Sequence, residues 1–135
     1  MVSPTLEGIT VLADDVDGLA RFYERALDLP VTVREENYVA FAAPGMRLAI
    51  FRRKLMGDHA SFHVPRGAQA FELNFECTDA AAVDLAYLRV LDHGAAPIAT
   101  PVATDWGHYT AFFADPEGNI HSLFAVLRAP GILGT

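Results

Sequence analysis

The feature that most constrains this chain is that its second half repeats its first. Placing Gly8 on Glu72 sets Asp15 on Asp79, Leu19 on Val83 and Tyr23 on Tyr87 without a gap. Further on, Tyr38-Val39-Ala40-Phe41 matches Tyr109-Thr110-Ala111-Phe112, and Gly45 matches Gly118 once about two residues are inserted in the second copy. Duplication explains these coincidences better than chance, and it requires that both halves fold into the same unit.

The unit can be read from either copy. In the first, the β-branched stretch Ile9 to Ala13 predicts a strand, Asp14-Asp15 an acidic N-cap, and Val16, Leu19, Phe22, Tyr23 and Leu27 the buried stripe of a helix that Pro30 stops. Three short strands follow, Val31 to Arg34, Tyr38 to Ala42 and Arg47 to Phe51, separated by Glu35-Glu36-Asn37 and Pro44-Gly45. In the second copy Phe71 to Cys77 is a strand, and Asp79 caps a helix with Val83, Tyr87, Leu88 and Leu91 inward. His93-Gly94 closes that helix, where a cationic His93 would favour the dipole. Strands near Pro97 to Val102, Tyr109 to Ala114 and Asn119 to Val126 complete it. The predicted fold is therefore α+β, two βαβββ modules over about 5–53 and 70–127 joined by a connector at about 54–69, within one domain spanning 1–135.

Several stretches carry a family resemblance. The strand ending in Asp14-Asp15, followed by Leu19-Ala20-Arg21-Phe22-Tyr23 and then Leu27 with Pro30, resembles the opening of a vicinal oxygen chelate domain. That superfamily groups glyoxalases, bleomycin-resistance proteins and extradiol dioxygenases. Phe71-Glu72-Leu73-Asn74-Phe75-Glu76-Cys77 is similar to the first strand of its second module, and Asp115-Pro116-Glu117-Gly118-Asn119 to its closing turn. The resemblance spans about Leu6 to Val126. It implies a cup-shaped mixed sheet with the helices packed outside, and, in metal-dependent members, a divalent ion on one inward residue from the first and last strand of each module. Carried over, those positions are Gly8, Ala49, Glu72 and Ser122, of which only Glu72 is a strong ligand. The glyoxalase reaction and ring-cleaving dioxygenation depend on that metal, so the resemblance implies the fold and weakens at the chemistry. No metal and no cofactor is expected.

Other residues can build a site without metal. Glu72, Asn74 and Glu76 alternate on one strand face, which implies a wet cavity in front of them. His108, Thr110 and Phe112 share the inward parity of their strand, so His108 faces either the cup near Glu72 or a rim beside Trp106. Phe41, Phe51, Phe112, Phe124 and Trp106 are candidates for an aromatic wall or for ordinary core. The candidate ligand-binding set is Glu72, Asn74, Glu76, Trp106, His108, Thr110, Phe112 and Ser122. His59 and His63 could chelate a metal if helical, but they fall in the irregular connector and read as loop residues. His121 alternates with Ser122 and should point to the helix layer. Cys77, the lone cysteine, excludes an internal disulfide and reads as a small hydrophobe.

Composition narrows the function classes. A net charge of -7 and no basic cluster beyond Arg52, Arg53 and Lys54 argue against a nucleic-acid partner. No apolar run reaches membrane-spanning length and the opening MVSPTLEG lacks a signal pattern, which predicts a cytoplasmic protein without a membrane partner. Three functions remain: metal-independent binding of a flat or cationic small molecule, metal-free catalysis with Glu72 or His108 as acid or base, and metal-dependent catalysis at an unconventional site, in that order. Whether the chain is an enzyme stays open. Open module edges, commonly covered by pairing in the superfamily it resembles, predict a homodimer, so sedimentation is expected to give about twice 14.6 kDa, and a monomer at micromolar concentration would refute the pairing.

Overall fold

The computed structural model describes residues 6–55, 69 and 72–127. Most of the connector, with His59 and His63, and the first residue of the expected Phe71 to Cys77 strand lie outside the described residues. The chain divides into two compact units, Met1–Arg66 and Gly67–Thr135, and the division falls inside the connector read from the sequence.

The first unit runs β1 (Gly8–Ala13), α1 (Val16–Ala26), β2 (Val31–Arg34), β3 (Tyr38–Ala43) and β4 (Met46–Arg52). Its sheet order is β1-β4-β3-β2, with β1 parallel to β4 and the other pairs antiparallel. The second unit runs β5 (Asn74–Glu76), α2 (Ala80–Asp92), β6 (Ala96–Ala103), β7 (His108–Ala114) and β8 (Ile120–Val126). Its order, β5-β8-β7-β6 with β5 parallel to β8, repeats that of the first. The α+β class and the two βαβββ modules are thus present as two four-stranded mixed sheets, each with its helix.

Both helices begin as the acidic caps predict. Asp15 Oδ1 accepts from the Gly18 N–H at 3.0 Å and Asp79 Oδ1 from the Ala82 N–H at 2.8 Å. Helix α1 ends one residue before Leu27, where Asp28 takes a left-handed φ of 55° ahead of Pro30. At the end of α2, His93 Nδ1 lies 3.0 Å from the Arg89 carbonyl, which can only accept, so this nitrogen carries the proton. Strand β6 is an edge of its sheet, consistent with Pro97 and Pro101, neither of which has an N–H for a ladder; its register shifts twice.

Each helix covers one face of its sheet. Helix α1 packs on β3 and β4, with Tyr23 against Phe41 at 5.9 Å between ring centroids. Helix α2 packs on β6, β7 and β8 through Val83, Tyr87 and Val90, spaced as one helical stripe. The expectation that Leu88 points inward is corrected: it is 63% exposed, and Val90 takes that place because only one stripe of a helix can reach a sheet.

The registers also correct one detail of the repeat. Thr10 stands opposite Ala49 and Asn74 opposite Ser122, as the alignment of Gly8 on Glu72 requires. Ala49 pairs with Ala40, however, and Ser122 with Phe112, so Ala40 corresponds to Phe112 and not to Ala111. The match of Tyr38 to Phe41 with Tyr109 to Phe112 is out by one residue and would put equivalent side chains on opposite faces. Phe41 and Phe113, both buried, are the true counterparts. The turn after β7 carries one residue more than that after β3, as the pairs Ala42 with Arg47 and Ala114 with Ile120 show.

Asp79→Ala removes a cap acceptor at an exposed helix start. It is expected to lower unfolding free energy by about 1 kcal/mol in urea denaturation, with no change in the slope of the transition.

Candidate functional site

The face of the second sheet turned away from α2 carries a cavity of about 330 Å³, lined by Glu72, Asn74, Trp106, His108, Thr110, Phe112, Ser122 and Phe124. Strand alternation accounts for most of this wall. On β7, Ala111 and Phe113 are buried toward the helix layer, and Tyr109 reaches Asp84 of α2 at 2.8 Å, leaving His108, Thr110 and Phe112 on the opposite side. On β8, His121, Leu123 and Ala125 are buried likewise, leaving Ser122 and Phe124.

Ser122 sits between Asn74 and Phe112 in the ladder and donates its hydroxyl proton to Asn74 Oδ1 at 2.6 Å. The His108 ring stacks on Phe124, 5.0 Å between centroids and 18° between planes. A tight turn delivers these residues: Thr104 Oγ1 accepts from the His108 N–H at 3.1 Å, and Gly107 adopts a φ of 84° that an L side chain resists. Trp106, 65% exposed, projects from that turn at the rim. Thr110 Oγ1 is buried in the wall with no hydrogen-bond partner among the described residues.

The cavity brings together every candidate read from the sequence except Glu76. That residue shares the face and stands opposite Phe124, but it is exposed and outside the wall. Parity selects a face and says nothing of how far a hollow extends along it. Glu72 and His108 share the cavity and make no ion pair or hydrogen bond with each other among the described residues. Phe112, Phe124 and Trp106 form the aromatic part of the wall, whereas Phe41 belongs to the core against Tyr23.

Two other titratable groups are accounted for. His121 does turn to the helix side, 3% exposed, with Phe75 and Phe113 edge-on to its ring. Partial burial pushes the Cys77 thiol above its ordinary value, reinforced by Asp79 and Glu76, so at neutral pH it stays protonated and is a poor nucleophile.

Sequence reasoning missed a cluster in the first unit. Arg47 grips Glu7 with both forks, Nε to Oε2 at 2.8 Å and Nη2 to Oε1 at 3.0 Å, while Nη1 donates to the Tyr38 hydroxyl at 3.2 Å. This pairing holds the Glu7 carboxyl below its ordinary value. Arg47 lies opposite Gly8 in the ladder, and a Cβ on Gly8 would come within 2.5 Å of the Arg47 carbonyl oxygen. The signal in the sequence was Gly8 itself, a glycine inside a strand.

The model of the glyoxalase/bleomycin resistance protein/dioxygenase superfamily matches residues 5–122. The chain belongs to this superfamily. No curated protein matches it. Among solved structures, a glyoxalase-related enzyme from Fulvimarina pelagi is similar with a TM-score of 0.84 and 19% identity, covering 90% of this chain and 87% of that one. A family enzyme from Burkholderia phytofirmans PsJN gives 0.81 and 22%, covering 92% and 100%. A lactoylglutathione lyase from Agrobacterium tumefaciens gives 0.69 and 20%, covering 92% and 95%. At these identities the likeness establishes the fold.

The superfamily's metal positions do not fit a divalent ion here. Gly8 has no side chain and no room for one, Ala49 offers a buried methyl group, and the Ser122 hydroxyl is committed to Asn74. Glu72 alone has the donor chemistry. Among the described residues no three His, Cys, Asp or Glu side chains are grouped to hold a metal, and no helix is long and apolar enough to cross a membrane.

Gly8→Ala is expected to destabilise the protein by about 1–3 kcal/mol, because backbone must shift to admit the methyl group. Urea denaturation of the variant beside the parent checks this, and equal midpoints would show that the strand yields freely.

Proposed function

We propose that this chain is a metal-independent binding protein for a flat or cationic small molecule, which it sequesters in the second-unit cavity. The observation that carries the reading is the aromatic-walled cavity itself, with Thr110 in its wall, whose buried Oγ1 has no hydrogen-bond partner among the described residues. A buried hydroxyl without a partner is costly in the free protein, and a ligand recovers that cost only where the wall shifts to let a polar group reach it. The rest of the wall supplies the remaining recognition. Phe112, Phe124, His108 and Trp106 offer ring faces, Glu72 offers a carboxylate at the cavity edge, and a net charge of -7 favours cations. A volume of about 330 Å³ suits a compact ligand of two or three fused rings.

One observation favours a second reading, metal-free catalysis. Glu72 and His108 both line the cavity, and neither is engaged with another side chain through hydrogen bonds or ion pairs among the described residues, which leaves both side chains available to a bound substrate. We further propose, from the sequence argument above, that the protein acts as a cytoplasmic homodimer.

Trp106 is the only tryptophan in the chain and lies on the cavity rim, so its fluorescence reports occupancy. Titration with proflavine, a flat aromatic cation, is expected to quench it with saturation. Glu72→Gln should weaken proflavine about tenfold, equivalent to about 1.4 kcal/mol. Thr110→Val, which replaces a buried hydroxyl without a partner among the described residues by a methyl group of similar size, should raise the thermal midpoint of the free protein. Unchanged affinity in Glu72→Gln would remove the acidic anchor, and turnover of a bound substrate abolished by His108→Phe would move the second reading to first place.

A further inference from the structure

We propose that His121, held by Asp115, is a positioning residue for the cavity: it fixes the backbone between Glu72 and Asn74 and so sets where both side chains stand. The proposal rests on the cavity being the binding site, but its mechanical part can be tested without any ligand.

The ladder alone holds this stretch weakly, because β5 contributes only Asn74–Glu76 to the sheet. The residue before it, Leu73, lies between two cavity residues and is pinned through both backbone groups. Its carbonyl accepts from the Ser122 N–H at 3.0 Å, and its N–H donates to His121 Nδ1 at 3.2 Å. A nitrogen that accepts carries no proton, so the proton of the neutral ring resides on Nε2, which donates to Asp115 Oδ2 at 2.9 Å. Asp115 is itself immobilised, since its Oδ1 accepts from the N–H groups of Glu117 at 3.0 Å and Asn119 at 2.9 Å. One step further out, the Gln69 side chain substitutes for a strand neighbour. Its Nε2 donates to the Ile120 carbonyl at 2.6 Å and its Oε1 accepts from the Ile120 N–H at 2.5 Å.

The closing turn Asp115-Pro116-Glu117-Gly118-Asn119 is thereby linked through a buried imidazole to the wall that presents Glu72 and Asn74. The ring is locked in place by Phe75 and Phe113, at 6.2 and 5.7 Å between centroids. An apolar side chain of similar size would preserve that packing and lose both polar bonds. A glutamine amide has an acceptor and a donor at nearly the separation of the two ring nitrogens, so it can restore both.

The test compares the full chain with His121→Phe and His121→Gln by amide hydrogen exchange and by proflavine titration read from Trp106. In His121→Phe the Leu73 amide should exchange about tenfold faster while amides of β7 keep their protection, because the opening is local. Proflavine affinity should fall about fivefold or more through misplacement of Glu72 and Asn74. His121→Gln should return both readouts to within about threefold of the parent. Unchanged Leu73 protection in His121→Phe would overturn the proposal, as would an acceleration shared equally by all strands, which is loss of stability alone. Should proflavine fail to bind the parent, the cavity reading loses its support while the exchange comparison still decides whether His121 positions the strand.

Discussion

Each unit depends on one constraint: a four-stranded sheet with a single helix can be covered by that helix on one face only. Side chains alternate along a strand, so covering one face dedicates half the residues to core and frees the other half for a different use. In the second unit the covered half includes Ala111, Phe113, Leu123 and Ala125, all buried, and the freed half lines the cavity. Because the parity is strict, a one-residue slip anywhere in β7 or β8 would exchange the cavity wall for the core. The turns on either side guard against that slip. Gly107 and Gly118 occupy left-handed positions, and the Asp115 carboxylate collects backbone donors from the turn it begins.

The two units share topology and register but use their free faces differently. In the first, the residues corresponding to Asn74 and Thr110 are Thr10 and Tyr38, and both stand around the Arg47 guanidinium, at 3.5 and 3.2 Å. That cation is neutralised by Glu7 and satisfied within its own unit, so it is a structural clamp. In the second unit Asn74 is held by Ser122, whereas Thr110 Oγ1 has no hydrogen-bond partner among the described residues. The two copies thus differ: the free face of one is closed by internal bonds, and the free face of the other carries a cavity. Gly8 belongs to the same change: its missing side chain admits the Arg47 carbonyl, and it gives up a position that superfamily members with metal use for a ligand.

Much of the site was legible before any coordinates because β periodicity is a local property. Two polar or aromatic residues two apart on one strand face the same way whatever the tertiary context, and so Glu72 with Asn74, and His108 with Thr110 and Phe112, line one cavity. Errors arose where a second element decides. Leu88 reads as well as Val90 for an inward helix position until the sheet shows which stripe it covers. The Tyr-x-Ala-Phe coincidence looked like a repeat until hydrogen-bond register placed it one residue out of step.

The sequence by itself determined the duplication, the element order, the caps at Asp15 and Asp79, the absence of donors at Gly8 and Ala49, and the parity of each strand, since these follow from residue type and local spacing. The tertiary structure decided which residues of a face bound a hollow and which, like Glu76, fall beyond its edge. It also decided that Thr110 Oγ1 has no partner among the described residues, that Glu72 and His108 line one cavity, and that His121 joins Asp115 to the Leu73 amide across 48 residues of sequence. Those outcomes depend on distances between segments far apart in the chain, which composition and periodicity do not encode one residue at a time.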